Sequence, residues 1–165
     1  MNVKRLDPSH VAEYRALMLE AFELHPDAFT SSFAERAALP LSWWESRLDP
    51  AQQSKELVLG AFHDGQLAGL AGLSFEPREK ARHKATLFGM YVPYRFRRHG
   101  FGRQLVQAAL AQARLRPGVK LVQLTVTHDR LDPEMRKRIT YGWPRVLCSL
   151  KSFLETGRPL DVWAR

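Results

Sequence analysis

Arg97-Arg98-His99-Gly100-Phe101-Gly102, with Arg103 immediately after, brings together the parts of an anion cradle. Glycines at 100 and 102 remove side chains where a ligand must touch the backbone. A helix starting here would turn unpaired N–H groups and the positive end of its dipole toward that ligand. The guanidinium groups of Arg97, Arg98 and Arg103 would add charge-assisted hydrogen bonds to phosphate oxygens. The pattern suits a pyrophosphate. It is not a nucleotide P-loop, because Gly-x-x-x-x-Gly-Lys-Ser/Thr is absent. Nor is it the dinucleotide fingerprint, because position 105 is Leu where Gly or Ala is needed. The plain alternative is a helix N-terminus with solvated arginines.

The flanking elements must position this loop. Ala85 to Val92 is apolar on both alternating faces, as expected of a central strand covered on both sides. Gly100 to Leu115 reads as a helix, with Phe101, Leu105 and Ala108 in one apolar stripe and Val106, Ala109, Leu110 and Ala113 in another. Pro117-Gly118 ends it, and Val119 to Thr127 is a further strand. Upstream, Glu56 to Phe62 and Leu67 to Phe75 are strands joined by His63-Asp64-Gly65-Gln66, where Asp-Gly signals a tight hairpin. Gly69 and Gly72 mark close packing or a bulge. Val3 to Leu6 is a short first strand. Val11 to Phe22 is a helix with Ser9 as its candidate cap. Phe33 to Leu48 is a second helical region, interrupted at Pro40, with Ser42 capping Trp43 to Leu48. The order hairpin, strand, helix, strand describes an α/β fold with a mixed sheet and one right-handed crossover.

The 165 residues suit a single domain, 1–165, and 45% hydrophobic with 25% charged residues exclude a disordered chain. No apolar run approaches the roughly 18–20 residues of a membrane helix, and Met1 to Leu6 lacks the apolar stretch of a signal peptide. A single cysteine, Cys148, excludes an internal disulfide and reads as a packed thiol, so a cytoplasmic location is expected. The histidines show no ligand spacing, and no metal is expected. A formal charge of +8 favours anionic partners. The basic residues concentrate between Arg95 and Arg103 and at Arg136-Lys137-Arg138. Tyr94, Phe96 and Phe101 interleave with them a little, as in a nucleic-acid binder. No recognised nucleic-acid motif accompanies them, so neither nucleic acid nor a membrane is the expected partner.

Gly89-Met90-Tyr91-Val92 followed by Arg97 to Leu105 resembles the cofactor signature of the GNAT superfamily of N-acetyltransferases, Arg/Gln-x-x-Gly-x-Gly/Ala. Arg97, Gly100 and Gly102 match it at the required spacing. His25 to Ser32 and Trp43 to Leu48 are also similar to bacterial members, and the resemblance runs from residue 1 to about Asp129. It implies a mixed sheet splayed open beside the central strand and flanked by helices. It implies acetyl-coenzyme A as acyl donor, its pantetheine arm bonded to the backbone of Met90, Tyr91 and Val92. The pyrophosphate would rest on N–H groups from Arg98 through His99, Gly100, Phe101 and Gly102 to Arg103. The implied reaction is direct transfer of an acetyl group to a primary amine of a small molecule, protein or peptide. A homodimer is an admitted assembly.

Catalytic groups are harder to place. Many relatives carry a carboxylate on the central strand, but this strand offers Thr86, Phe88 and Met90. A water chain, Glu76 or Glu23 are the alternatives as base. Relatives place a general-acid tyrosine near position 137, which is Lys here; Tyr141, one helical turn later, is the candidate acid. From about Arg130 the family pattern is lost, and Val146, Leu147, Leu150, Phe153 and Leu154 follow helical spacing where strands are expected. Residues 130–165 are therefore a genuine replacement within the same domain or the product of a reading-frame change. Trp43-Trp44 could line an acceptor pocket or anchor a helix on the core. The competing function is a coenzyme A-binding regulatory or inactive module.

Overall fold

The computed structural model describes residues 2–124. In chain order they form β1 (Asn2–Arg5), α1 (Val11–Leu24), α2 (Phe33–Ala37), α3 (Leu41–Ser46), β2 (Glu56–His63), β3 (Gln66–Phe75), β4 (Lys84–Tyr91), α4 (Phe101–Leu115) and β5 (Leu121–Leu124). The strands make one five-stranded sheet in sequence order. Neighbours from β1 to β4 pair antiparallel, and β4 pairs parallel with β5, from Lys84 opposite Leu121 to Leu87 opposite Leu124. A parallel pair needs a crossover, and α4 supplies it. The sheet is mixed and flanked by helices, as expected. The predicted splay beside β4 concerns residues from 125 onward, outside the described residues.

Local chemistry explains most of the elements. Asp64 and Gly65 have φ of 48° and 80°, the left-handed pair that a two-residue hairpin loop requires. Alternation along β2 sends Leu57 and Leu59 to one face and Val58 to the other, and each face buries its own cluster. On one side α1 packs Tyr14, Met18 and Phe22 with Trp44 against the sheet. On the other, Phe101, Leu105, Ala109 and Ala113 of α4 are buried against β2, β3 and β4. This stripe advances in steps of four residues. It joins members of the two stripes expected from sequence and leaves Ala108 and Leu110 half-buried.

Two expected caps are corrected. Ser9 does not cap α1: Asp7 caps the turn Pro8–His10 that leads into it, accepting the Ser9 N–H at 2.9 Å. A carboxylate is the stronger acceptor and takes the role. Ser42 does not cap the tryptophan helix, because α3 begins at Leu41 with Pro40 at its N-cap. The proline fixes its own φ, which suits an extended entry into the helix. Ser32, by contrast, caps α2 in a reciprocal box: Glu35 N–H donates to Ser32 Oγ (3.2 Å) and Ser32 N–H donates to Glu35 Oε2 (2.6 Å).

Candidate functional site

The loop between β4 and α4 is shaped by two left-handed residues. After Val92 and Pro93, a short turn at Tyr94–Phe96 leads to Arg97, then Arg98 at φ 67° and Gly100 at φ 81°. Gly100 is the N-cap of α4 and has no side chain to cap the helix. The first helical bond runs from Gln104 N–H to the Gly100 carbonyl (3.1 Å). The N–H groups of Phe101 and Gly102 therefore precede the helical ladder and point out of it. A Cβ added at Gly100 would meet nothing within 4 Å, so the space before the helix is open on the protein side. Dipole, exposed N–H groups and absent side chains fit a pyrophosphate.

The expected cofactor residues gather here, with different duties. Met90 reaches α4: a Cβ on Gly102 would lie 3.2 Å from Met90 Cε, so the glycine admits that contact. Arg97 folds back, its Nε donating to the Val92 carbonyl (3.1 Å) and its Nη2 lying 3.4 Å from His25 Nε2. His99 Nδ1 lies 2.8 Å from the Arg97 carbonyl. Phe101 is core rather than ligand surface, fully buried under the loop. Arg98 and His99 are exposed beside the helix start. Arg95, counted with the basic stretch, is spent elsewhere: it pairs with Glu20 on α1 at 3.0 Å.

A bulge in β4 sets which way these residues face. Gly72 pairs with Phe88 and Leu70 with Tyr91, so β3 advances two residues while β4 advances three. The extra residue sits at Gly89, whose φ is 53°. One added residue reverses the facing of every side chain that follows. Ala85 and Leu87 pack on the α4 side before the bulge, whereas Tyr91 packs on the α1 side after it. Tyr91 Oη then donates to Glu20 Oε1 at 2.9 Å. Burial, with Glu20 beside it, pushes the phenol up to about 12. The α1 side of β4 is not the fully covered face expected: Thr86 and Phe88, before the bulge, are half-buried.

That face opens on a cavity of about 250 Å³ walled by α1, α3 and Phe88-Gly89 of β4. Phe22, Trp43, Trp44, Arg36 and Arg47 contribute to it. Trp44 is 1% exposed and anchors α3 on the core, as expected, and both tryptophans line this cavity. The arginines were not singled out by sequence, having no motif to mark them.

Of the candidate proton-transfer residues, Glu76 and Glu23 fall among the described residues. Glu76 follows β3 beside the start of β4, its N–H donating to the Lys84 carbonyl (3.2 Å). The Arg78 guanidinium grips its carboxylate at 2.7 and 2.8 Å and holds its carboxyl down at about 2. Such a group is a weak proton acceptor. Glu23 is exposed near the end of α1. Tyr141, Lys137 and Cys148 lie outside the described residues. Among the described residues no cluster of His, Cys, Asp and Glu could hold a metal ion, and no helix is long and apolar enough to cross a membrane.

Known structures share this architecture. An acetyltransferase of the GNAT family from Streptococcus pneumoniae superposes with a TM-score of 0.66 at 24% identity, covering 86% of this chain and 83% of its own. A ribosomal-protein-alanine N-acetyltransferase from Brucella melitensis gives 0.56 at 24% identity, over 75% and 73% of the two chains. A predicted acetyltransferase from Clostridium acetobutylicum, solved with acetyl-CoA, gives 0.57 at 14% identity, over 86% and 88%. At these identities the likeness is one of fold, and no curated protein matches the sequence. The family model for acetyltransferases of the GNAT family matches residues 18–135, from within α1 through the bulged strand, the arginine-glycine loop and α4. Over most of its length, then, this chain belongs to the GNAT family of acetyltransferases.

Proposed function

We propose that the chain is an acetyl-coenzyme A-dependent N-acetyltransferase acting directly on a primary amine. The observation carrying this reading is the uncapped N-terminus of α4 at Gly100, reached from the bulged β4 through the loop from Val92 to His99. Backbone N–H groups at Phe101 and Gly102 would hold the pyrophosphate, with Arg97, Arg98, His99 and Arg103 around it. The backbone of Met90, Tyr91 and Val92 would hold the pantetheine arm. When bound, acetyl-coenzyme A supplies a thioester whose C–S bond breaks as the amine's C–N bond forms, the amine losing a proton and the thiolate gaining one.

The protein's part is placement and control of protonation. The cavity borders Gly89, next to the residues that would hold the donor, so an amine there lies beside the reacting end. Among the described residues two guanidinium groups line it, that of Arg47 paired with Glu56, and no carboxylate does. Like charge and desolvation both favour a neutral amine, so the proton leaves to water and Glu76 is not required. Tyr141 is the acid proposed for the departing thiolate, and residues 130–165 belong in this reading to the same domain.

Two measurements test the proposal. Calorimetry should show acetyl-coenzyme A binding, and thiol release should depend on an added amine. Binding without release from a broad amine panel would leave a coenzyme A-binding module. No binding at millimolar cofactor would overturn both.

A further inference from the structure

The cavity wall beside Phe88 and Gly89 is unbalanced in charge and in hydrogen bonding. Arg47 is neutralised by Glu56 at 2.8 Å. Arg36 has no ion-pair partner among the described residues. Its Nη2 donates to Ser31 Oγ (2.8 Å), and its guanidinium stacks over Trp43 at 4.8 Å and Phe22 at 5.8 Å. Its Nε is buried without a partner among the described residues, and so is the indole N–H of Trp44 in the same wall. Surplus donors, one positive charge unpaired among the described residues and aromatic faces have a definite complement. It is an anionic oxygen group on an apolar or aromatic body. The cavity's volume of about 250 Å³ suits one small molecule or one side chain, being below the roughly 300–1,000 Å³ of drug-sized sites.

Resting on the acetyltransferase reading above, we infer that the acceptor is a small amine that also carries an anionic group, carboxylate or phosphate, held by Arg36. The amine end lies toward Gly89 and the anionic end toward α2, which carries Arg36. A polycation is the wrong acceptor, because its further ammonium groups meet Arg36, which has no carboxylate partner among the described residues. Peptides enter only through a side chain or terminus with an acidic neighbour.

The test uses the full chain with four amines: benzylamine, para-aminomethylbenzoate, para-aminomethylphenylphosphonate and spermidine. Coenzyme A thiol release gives kcat/KM for each, and quenching of tryptophan fluorescence in the presence of coenzyme A gives affinity. At least one anionic amine should exceed benzylamine by about tenfold or more in both readouts, with spermidine poorest. Which of the two wins identifies the acceptor's anion as carboxylate or phosphate. Arg36→Met should bring the anionic-to-neutral ratio to about one, and Arg36→Lys should keep most of the preference. The inference is overturned if benzylamine or spermidine equals the anionic amines, or if the preference survives Arg36→Met. Loss of the acetyltransferase reading looks different: no heat with acetyl-coenzyme A and no thiol release with any amine. Fluorescence still decides the anion preference in that event.

Discussion

Gly100 meets two requirements at one position. Its φ of 81° is one that side chains resist, and the space before it is where the pyrophosphate would lie. Gly100→Val should cost about 1–2 kcal/mol of stability through the left-handed backbone. The larger effect should be on the cofactor, with affinity falling about tenfold or more as the valine covers the helix N–H groups. Calorimetry and urea unfolding separate the two, and equal affinity would refute the cradle. Glu76 offers a pH test. Its carboxyl is held at about 2 against an ordinary 4.5, so its pairing stabilises the fold above pH 4.5 and is lost as pH falls toward 2. Glu76→Gln should remove that acid limb while thiol release persists; loss of turnover would restore Glu76 as the base. The arginine-glycine loop was legible because its residue types act locally. Arg97 folding onto Val92 and Glu76 gripped by Arg78 were not, since side-chain direction depends on neighbours that a pattern does not specify.

Among the elements, the bulged strand β4 decides most. The sequence marks an apolar strand there, and Gly89 within it gives no sign of how β3 will pair. The hairpin at Asp64-Gly65 was readable because the turn chemistry is contained in those two residues. The helix caps were misread where a second acceptor competed nearby, as Asp7 did with Ser9. The bulge rests on a left-handed glycine at φ 53°, and a Cβ there would meet only Met18 Cε, at 3.9 Å. Gly89→Val should therefore act through the backbone, costing about 1–2 kcal/mol. By pressing β4 toward regular pairing it should also turn Tyr91 away from Glu20 and weaken acetyl-coenzyme A binding. Unchanged affinity at reduced stability would show that the bulge does not position the cofactor.

Over the whole molecule, the chain carries a formal charge of +8, and the proposed cofactor is an anion. Acetyl-coenzyme A affinity should fall as salt rises from 0.1 to 1 M, where the screening length shrinks from about 10 to about 3 Å. A flat salt response would mean that the arginines contribute little. The family match ends at Met135, close to where the sequence pattern is lost. Translating the coding DNA in its other frames decides whether the family's C-terminal pattern lies there. The cavity was the part least legible in sequence, because its wall combines short segments far apart in the chain, from Tyr14 to Gly89, and no one local run contains it. Its room is nevertheless set from the middle of the sheet. A methyl group on Gly72 would overlap the ring of Phe88, the residue that floors the cavity. Gly72→Ala should push that ring outward, raising KM for bulky acceptors while acetyl-coenzyme A affinity holds. On the proposed reading, a glycine in the strand beside β4 would act as a gauge for acceptor size, and enlarging or shrinking the substrate range would begin there, at a position outside the cavity wall.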